Sequence, residues 1–239
     1  MTTALLAAVV TAGVRRLERN DRLPGGRARW RRTNHAGEPV SLVEGVALAG
    51  GTATALLPTQ PAVAGAVVLA GLAGALDDLV GDGTARGLRG HLDALRRGRP
   101  TTGALKVLAL SSAGLLAVAV HDGRTPRGRG LHTLAGAGVV AGAANLANLF
   151  DLRPGRALKV ALAHALPLAV LGHPAAAAVG GAGLVALPDD LAGRTMLGDT
   201  GANPLGAAVG AAVAHRLGPG GRWASLAVLT GLTLLSERV

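Results

Sequence analysis

Three short stretches hold the residues whose types and spacing could do chemistry. In Leu76-Asp77-Asp78-Leu79 a long apolar run ends in two adjacent carboxylates. Asn145, Asn148 and Asp151 recur at spacings of three and six. On a helix, that spacing puts both amides and, more loosely, the acid on one side of an otherwise apolar run. In Leu197-Gly198-Asp199-Thr200-Gly201 a single acid is bracketed by glycines just before another apolar run. Carboxylates are costly in hydrocarbon, so acids at the ends of apolar runs must face an interface or a polar cavity and need a cation or basic side chains nearby. Such oxygen donors suit a hard cation such as magnesium, which takes a few carboxylates together with substrate phosphates and water. Gly198 and Gly201 permit a tight turn, and the helix amides beyond it suit an anion such as a diphosphate. Each stretch also has a structural alternative. Asp77 and Asp78 could mark a helix end reaching water, Asn145 and Asn148 an interhelical hydrogen-bond seam, and Asp199 an N-cap.

The elements that must position these residues are apolar. With no Cys, no Tyr, one Phe and two Trp among 239 residues, and a mean hydropathy of +0.41, the composition is that of a membrane protein. The 37 glycines favour close packing between helices, where small residues let backbones approach in lipid. Lack of Cys excludes disulfides and thiolate metal sites. The formal charge of +10 does not indicate a nucleic-acid partner, because the arginines lie between apolar runs and stacking aromatics are missing.

Apolar runs cover roughly residues 3–14, 40–57, 61–76, 103–120, 131–150, 158–171, 174–187, 202–217 and 223–235. That is about nine spans, in an all-α, polytopic integral-membrane helical bundle formed by residues 1–239 as a single domain. Several runs are shorter than the roughly 20 residues a perpendicular span needs, so their edges must extend into the loops. The first run has no positive residue before it and Arg15-Arg16 after it, which speaks against a cleaved signal peptide. Arg15, Arg16, Arg19, Arg22, Arg27, Arg29, Arg31 and Arg32 fill the segment behind it, and Arg86, Arg89, Arg96, Arg97 and Arg99 fill the one after Asp78. The opposite loops hold Arg124, Arg127, Arg129, Arg216 and Arg222. By the positive-inside rule the three chemical stretches face the cytoplasm. The Asp189-Asp190 pair reads as a solvated loop end.

In this order on a polytopic chain, Leu76-Asp77-Asp78, Asn145-x-x-Asn148-x-x-Asp151 and Leu197-Gly198-Asp199-Thr200-Gly201 resemble the polyprenyl-phosphate N-acetylhexosamine-1-phosphate transferases. That family includes the enzymes that make the first lipid-linked peptidoglycan precursor and related UDP-N-acetylglucosamine transferases. The resemblance runs from about Arg31 to Gly206. It implies a magnesium-dependent transferase in the plasma (inner) membrane, feeding cell-wall or surface-glycan synthesis, that moves a sugar 1-phosphate from a UDP-sugar to a polyprenyl phosphate and releases UMP. Carried over by position, Asp199 and Asp77 are the metal ligands, and Asp78 is metal-associated or the base for the lipid phosphate. Asp151, Asn145 and Asn148 contact the nucleotide or organise the metal site. Arg153, Arg156, Lys159 and Arg194 lie beside the motifs as candidate anion-gathering groups. His35, within Arg32-Thr33-Asn34-His35-Ala36-Gly37-Glu38-Pro39, resembles the family's first-loop basic segment and is a candidate substrate contact.

The chain also departs from that pattern. Better-known members continue Asp-Gly-Leu-Asp-Gly, whereas Asp151 here is followed by Leu152-Arg153-Pro154-Gly155, with Pro154 in place of the second acid. Only one apolar run follows His215, so the family's late His-rich loop is missing. These departures support the alternative of a non-catalytic scaffold or polyprenyl-phosphate binder. A transporter would show charges in mid-span and paired broken helices, neither of which the sequence displays. The sugar, the lipid length and the oligomeric state, a homodimer included, are left open by the sequence.

Overall fold

The computed structural model describes residues 2–24, 26–33, 37–80, 97 and 101–236. Among them are nine α-helices: α1 (Thr2–Arg19), α2 (Val43–Leu56), α3 (Pro61–Val80), α4 (Thr102–Asp122), α5 (Leu131–Phe150), α6 (Arg156–Val170), α7 (Pro174–Leu191), α8 (Gly198–Arg216) and α9 (Pro219–Ser236). Between α1 and α2 lie a short 3-10 turn (Arg27–Trp30) and an antiparallel pair of strands, β1 (Arg31–Thr33) and β2 (Pro39–Ser41), with Arg32 opposite Val40. Each apolar run corresponds to one helix, so the all-α expectation holds apart from this hairpin. Among the described residues three helices are long and apolar enough to cross a membrane: α3, α4 and α5, with mean hydropathies of 1.8, 1.9 and 1.4.

The edges of the runs differ from the helices in one consistent way. Counting apolar residues stops at the first charge, but backbone hydrogen bonding does not. Helix α1 therefore continues through Arg15 and Arg16 to Arg19, and α3 carries Asp77 and Asp78 on its last turn. Helix α7 extends over Asp189 and Asp190, and α8 starts at Gly198 so that Asp199 lies in its first turn. Helix α2 starts later than its run because Val40 belongs to β2.

Helix α8 is the centre of the bundle. It packs on α3, α5, α2, α7, α4 and α6, and nearly every residue from Thr200 to Ala214 is buried. Its sequence is mostly Ala and Gly, which keeps the surrounding helices close and replaces large side chains with backbone contact. Gly74 of α3 is one of the tight cases, since a Cβ there would overlap the backbone carbonyl of Asp199. The core is correspondingly made of Ala, Val and Leu. Large apolar side chains such as Leu72, Leu108, Leu134, Val170 and Val228 instead point outward. A surface of this kind suits an apolar surrounding rather than water.

Successive helices run in alternate directions. One end of the bundle therefore collects the C-termini of α1, α3, α5 and α7 with the N-termini of α2, α4, α6 and α8, and that is the end where the acids gather.

Candidate functional site

The N-terminus of α8 shapes this end. A helix start leaves backbone N–H groups without intrahelical partners and carries a partial positive charge. Here those groups point at two carboxylates from other helices. The Gly198 N–H donates to Asp151 Oδ2 at 2.8 Å. The Asp199 and Thr200 N–H groups donate to the two oxygens of Asp78 at 3.1 and 2.9 Å, and the Thr200 hydroxyl adds a third bond to Asp78 at 2.6 Å. Gly198 adopts φ +58°, a left-handed conformation that suits glycine, and so turns the chain into the helix between the two acids. The sequence suggested that these amides would receive a diphosphate. They are occupied by the protein's own carboxylates, and Asp199 is not the N-cap. Burial pushes the Asp151 carboxyl up to about 8; the Asp190 charge adds to this and the Gly198 N–H opposes it.

Asp77 and Asp199 meet on the other side of α3, across a lysine. Lys106 of α4 is ion-paired to Asp199 and lies 3.5 Å from Asp77 Oδ2. Asp77 also interacts with Thr102 at the start of α4 and with Asp199 itself. The Lys106 side chain is 11% exposed, so its ammonium fills the position between two carboxylates that a cation would take. Magnesium is usually held by one or two carboxylates, with substrate phosphates and water completing the shell. The donor set of Asp77 and Asp199 fits that requirement. No group of three or more His, Asp or Glu side chains suited to a metal occurs among the described residues, so the protein alone supplies only part of such a shell.

The remaining sequence candidates separate. Asn145 donates to Thr233 of α9 at 3.4 Å, which places it in an interhelical seam; Asn148 is half-buried one turn further along α5. Arg156 donates to the Phe150 carbonyl at 3.0 Å and lies over the Phe150 ring at 5.9 Å. Arg153 and Lys159 are exposed in the loop and first turn around it. Arg194 is bound to Asp189. His35 lies outside the described residues.

The Asp189-Asp190 pair is the clearest correction. Both residues are buried. Asp189 binds Arg15 at 2.6 Å, Arg19 at 2.8 Å and Arg194, and Asp190 accepts the Gly155 N–H at 3.2 Å. Far from being a solvated loop end, the pair ties α1 and the α5–α6 turn to α7. Beside it Glu44, wholly buried in the first turn of α2, is hydrogen-bonded to the Thr195 hydroxyl.

Sequence reasoning missed Lys106, Thr102 and Glu44 as site residues. A signal existed for two of them, since an ionisable residue inside an apolar run is a functional candidate by default. At the opposite end, Arg222 was placed in a loop. It is 2% exposed, with a bidentate pair to Asp122 at 2.7 and 2.8 Å. The Thr133 hydroxyl donates to the same carboxylate at 2.7 Å. His121 stacks on His215 at 3.8 Å nearby, with His173 5.5 Å from His215.

No protein-family model matches the chain, and no curated protein matches it. The family resemblance therefore rests on the three sequence motifs alone.

Proposed function

We propose that the protein is a multi-pass membrane transferase that moves a sugar 1-phosphate from a UDP-sugar to a polyprenyl phosphate, in a bundle of about nine spans whose acidic end faces the cytoplasm. The observation that carries this reading is the meeting of Asp77 and Asp199, from two separated motifs, across Lys106. The concentration of arginines at the same end supports the sidedness.

In the proposed reaction an oxygen of the lipid phosphate attacks the β-phosphorus of the UDP-sugar. The bond from that phosphorus to the bridging oxygen breaks and UMP leaves with the electron pair. Both reactants are anions, so the chemistry requires neutralisation and alignment. Asp77 and Asp199 would hold magnesium, which when bound neutralises and aligns phosphate oxygens. Lys106, which fills that position in this structure, would have to yield it to the metal and would then bring a further positive charge to the phosphates beside it. Asp78 and Asp151 act by fixing the first turn of α8, which keeps Asp199 directed at Asp77.

An apolar groove of about 330 Å³ between α5, α6, α8 and α9 would take the prenyl chain. Its lining includes Leu146, Phe150, Val209 and Leu229, and Arg156, held against Phe150, would meet the lipid phosphate. The second reading, a non-catalytic prenyl-phosphate binder, draws on the fact that Lys106 already neutralises both acids.

The test is UMP release by the purified protein given polyprenyl phosphate and a panel of UDP-sugars, with magnesium or chelator. Lipid-dependent, magnesium-dependent release is the expected result. Lipid binding with no release from any sugar would favour the second reading.

A further inference from the structure

A second apolar groove, of about 300 Å³, runs between α2 and α3 on the face of α3 away from Lys106. Val46, Ala49, Gly50 and Ala53 form one wall and Val68, Leu72 and Ala75 the other. Its mouth differs from that of the first groove, because Arg29, Trp30 and Arg32 line it. These residues are held in place rather than trailing in a loop. The Leu42 N–H donates to the Trp30 carbonyl at 2.9 Å, Arg32 is paired in register with Val40, and the Met196 N–H donates to the Ser41 carbonyl at 3.1 Å. The Arg32 guanidinium reaches backbone carbonyls of Arg29 and Arg31, and neither Arg29 nor Arg32 has a carboxylate partner among the described residues.

We infer that this groove binds an anionic phospholipid, with an acyl chain between α2 and α3 and its phosphate diester held by Arg29 and Arg32. The charge at the mouth is complementary to a phosphate, the lining to a hydrocarbon chain, and Trp30 to the membrane interface, where an aromatic ring sits at headgroup level. The lipid is a bound companion and not the acceptor. The groove ends on Asp78 and Thr200, whose polar atoms are turned into the start of α8, while Asp77, Asp199 and Lys106 lie across α3. A phosphate at the arginines would therefore rest against the support of α8 rather than beside the paired acids. The inference depends on the bundle lying in a membrane but not on the transfer chemistry.

The test is lipid retention by the full chain, measured by native mass spectrometry after reconstitution in phosphatidylcholine nanodiscs doped with phosphatidylglycerol or with polyprenyl phosphate. Wild type should retain phosphatidylglycerol over phosphatidylcholine. Arg29→Gln with Arg32→Gln should weaken that retention about 30-fold, the factor that two interfacial arginines supply. Gly50→Leu should abolish it without touching the arginines. No atom lies within 4 Å of where a Gly50 Cβ would sit, so the leucine enters the groove itself, and thermal unfolding would verify that the variant is folded. Wild-type retention in Gly50→Leu would overturn the inference and reduce the effect to surface attraction. Equal retention of phosphatidylcholine would overturn it as well. Retention of polyprenyl phosphate in preference to phosphatidylglycerol, lost in Gly50→Leu, would overturn the assignment by making this groove the acceptor site. UMP release is not used as a readout, so failure of the transferase reading leaves the test intact.

Discussion

Asp77 and Asp78 are neighbours with the same side chain, and the structure gives them opposite duties, so the same substitution at each should have separable effects. Asp78 accepts three hydrogen bonds from the first turn of α8. In Asp78→Asn one oxygen remains to accept, and the amide NH2 faces one of the two backbone N–H groups as donor against donor. Leaving such a group unpaired costs about 1–3 kcal/mol, and loss of the negative charge at a helix N-terminus adds about 0.3–1 kcal/mol. The sum, about 1–4 kcal/mol, would lower the unfolding temperature of a chain this size by about 3–16 °C. Asp77 is 26% exposed and stands 3.5 Å from Lys106, which stays paired to Asp199. Asp77→Asn should therefore cost less than about 1 kcal/mol, as for a partly exposed ion pair. Its effect should fall on UMP release, which the proposed role predicts to be abolished. Thermal unfolding in detergent measures the first quantity, and amide hydrogen exchange at residues 198–200 localises it. Equal destabilisation by the two variants, or unchanged exchange at the start of α8 in Asp78→Asn, would refute the division of labour.

Three further outcomes follow from single contacts. Asp122→Asn leaves the buried Arg222 guanidinium without its charge partner and should destabilise by about 3–5 kcal/mol, whereas Asp122→Leu with Arg222→Met should recover most of the loss; chemical denaturation of both compares them. Gly74→Ala places a Cβ on the backbone of Asp199, where no side chain can rotate away. An overpacking cost of about 1–3 kcal/mol is expected, with faster exchange at the start of α8 as its signature. Burial, with Arg216 and His121 adding, holds His173 down to about 4. An unfolded His173 binds its proton near pH 6.5 and the folded one does not, so the part of the stability that depends on this residue should fall as the pH drops from 6.5 toward 4. Wild type should therefore lose stability relative to His173→Gln over that range, and a difference between the two that does not change with pH would contradict the burial argument.

The helices were legible in the sequence because nine apolar runs separated by charges leave little else to build. Their ends were not, because hydropathy records the first charge and not the partner that accommodates it. Asp189 looked like a solvated end for want of its partner Arg15, 174 positions away. Arg222 looked like a loop arginine for want of Asp122, 100 positions away. In both cases a charge that a linear reading sends to water is buried because a distant element neutralises it. The convergence of the three acidic stretches at one end was readable from alternation of direction alone. Which acid would brace the fold and which would face a cation was not, since that depends on a rotation of about 100° per residue around α3. Asp77 looks toward α4 and Asp78 toward the start of α8.

The loop after Asp151 shows how the fold answers a departure from the motif pattern. Pro154 stands where the resembled family has a second acid, and Pro154-Gly155 carries the turn between α5 and α6. Gly155 takes φ +70°, and its N–H is satisfied by Asp190 from α7. An acid is thus still present against this turn, delivered by a different helix and used to hold the backbone. Asp190 also raises the Asp151 carboxyl, so the two acids and the Gly198 and Gly155 amides form one connected support beneath α8. On this arrangement the altered loop changes what a substrate could touch at Arg153 and Pro154 while leaving the placement of Asp199 intact. Under the proposed function, the departure from the family pattern therefore bears on the choice of sugar more than on whether the paired acids can act.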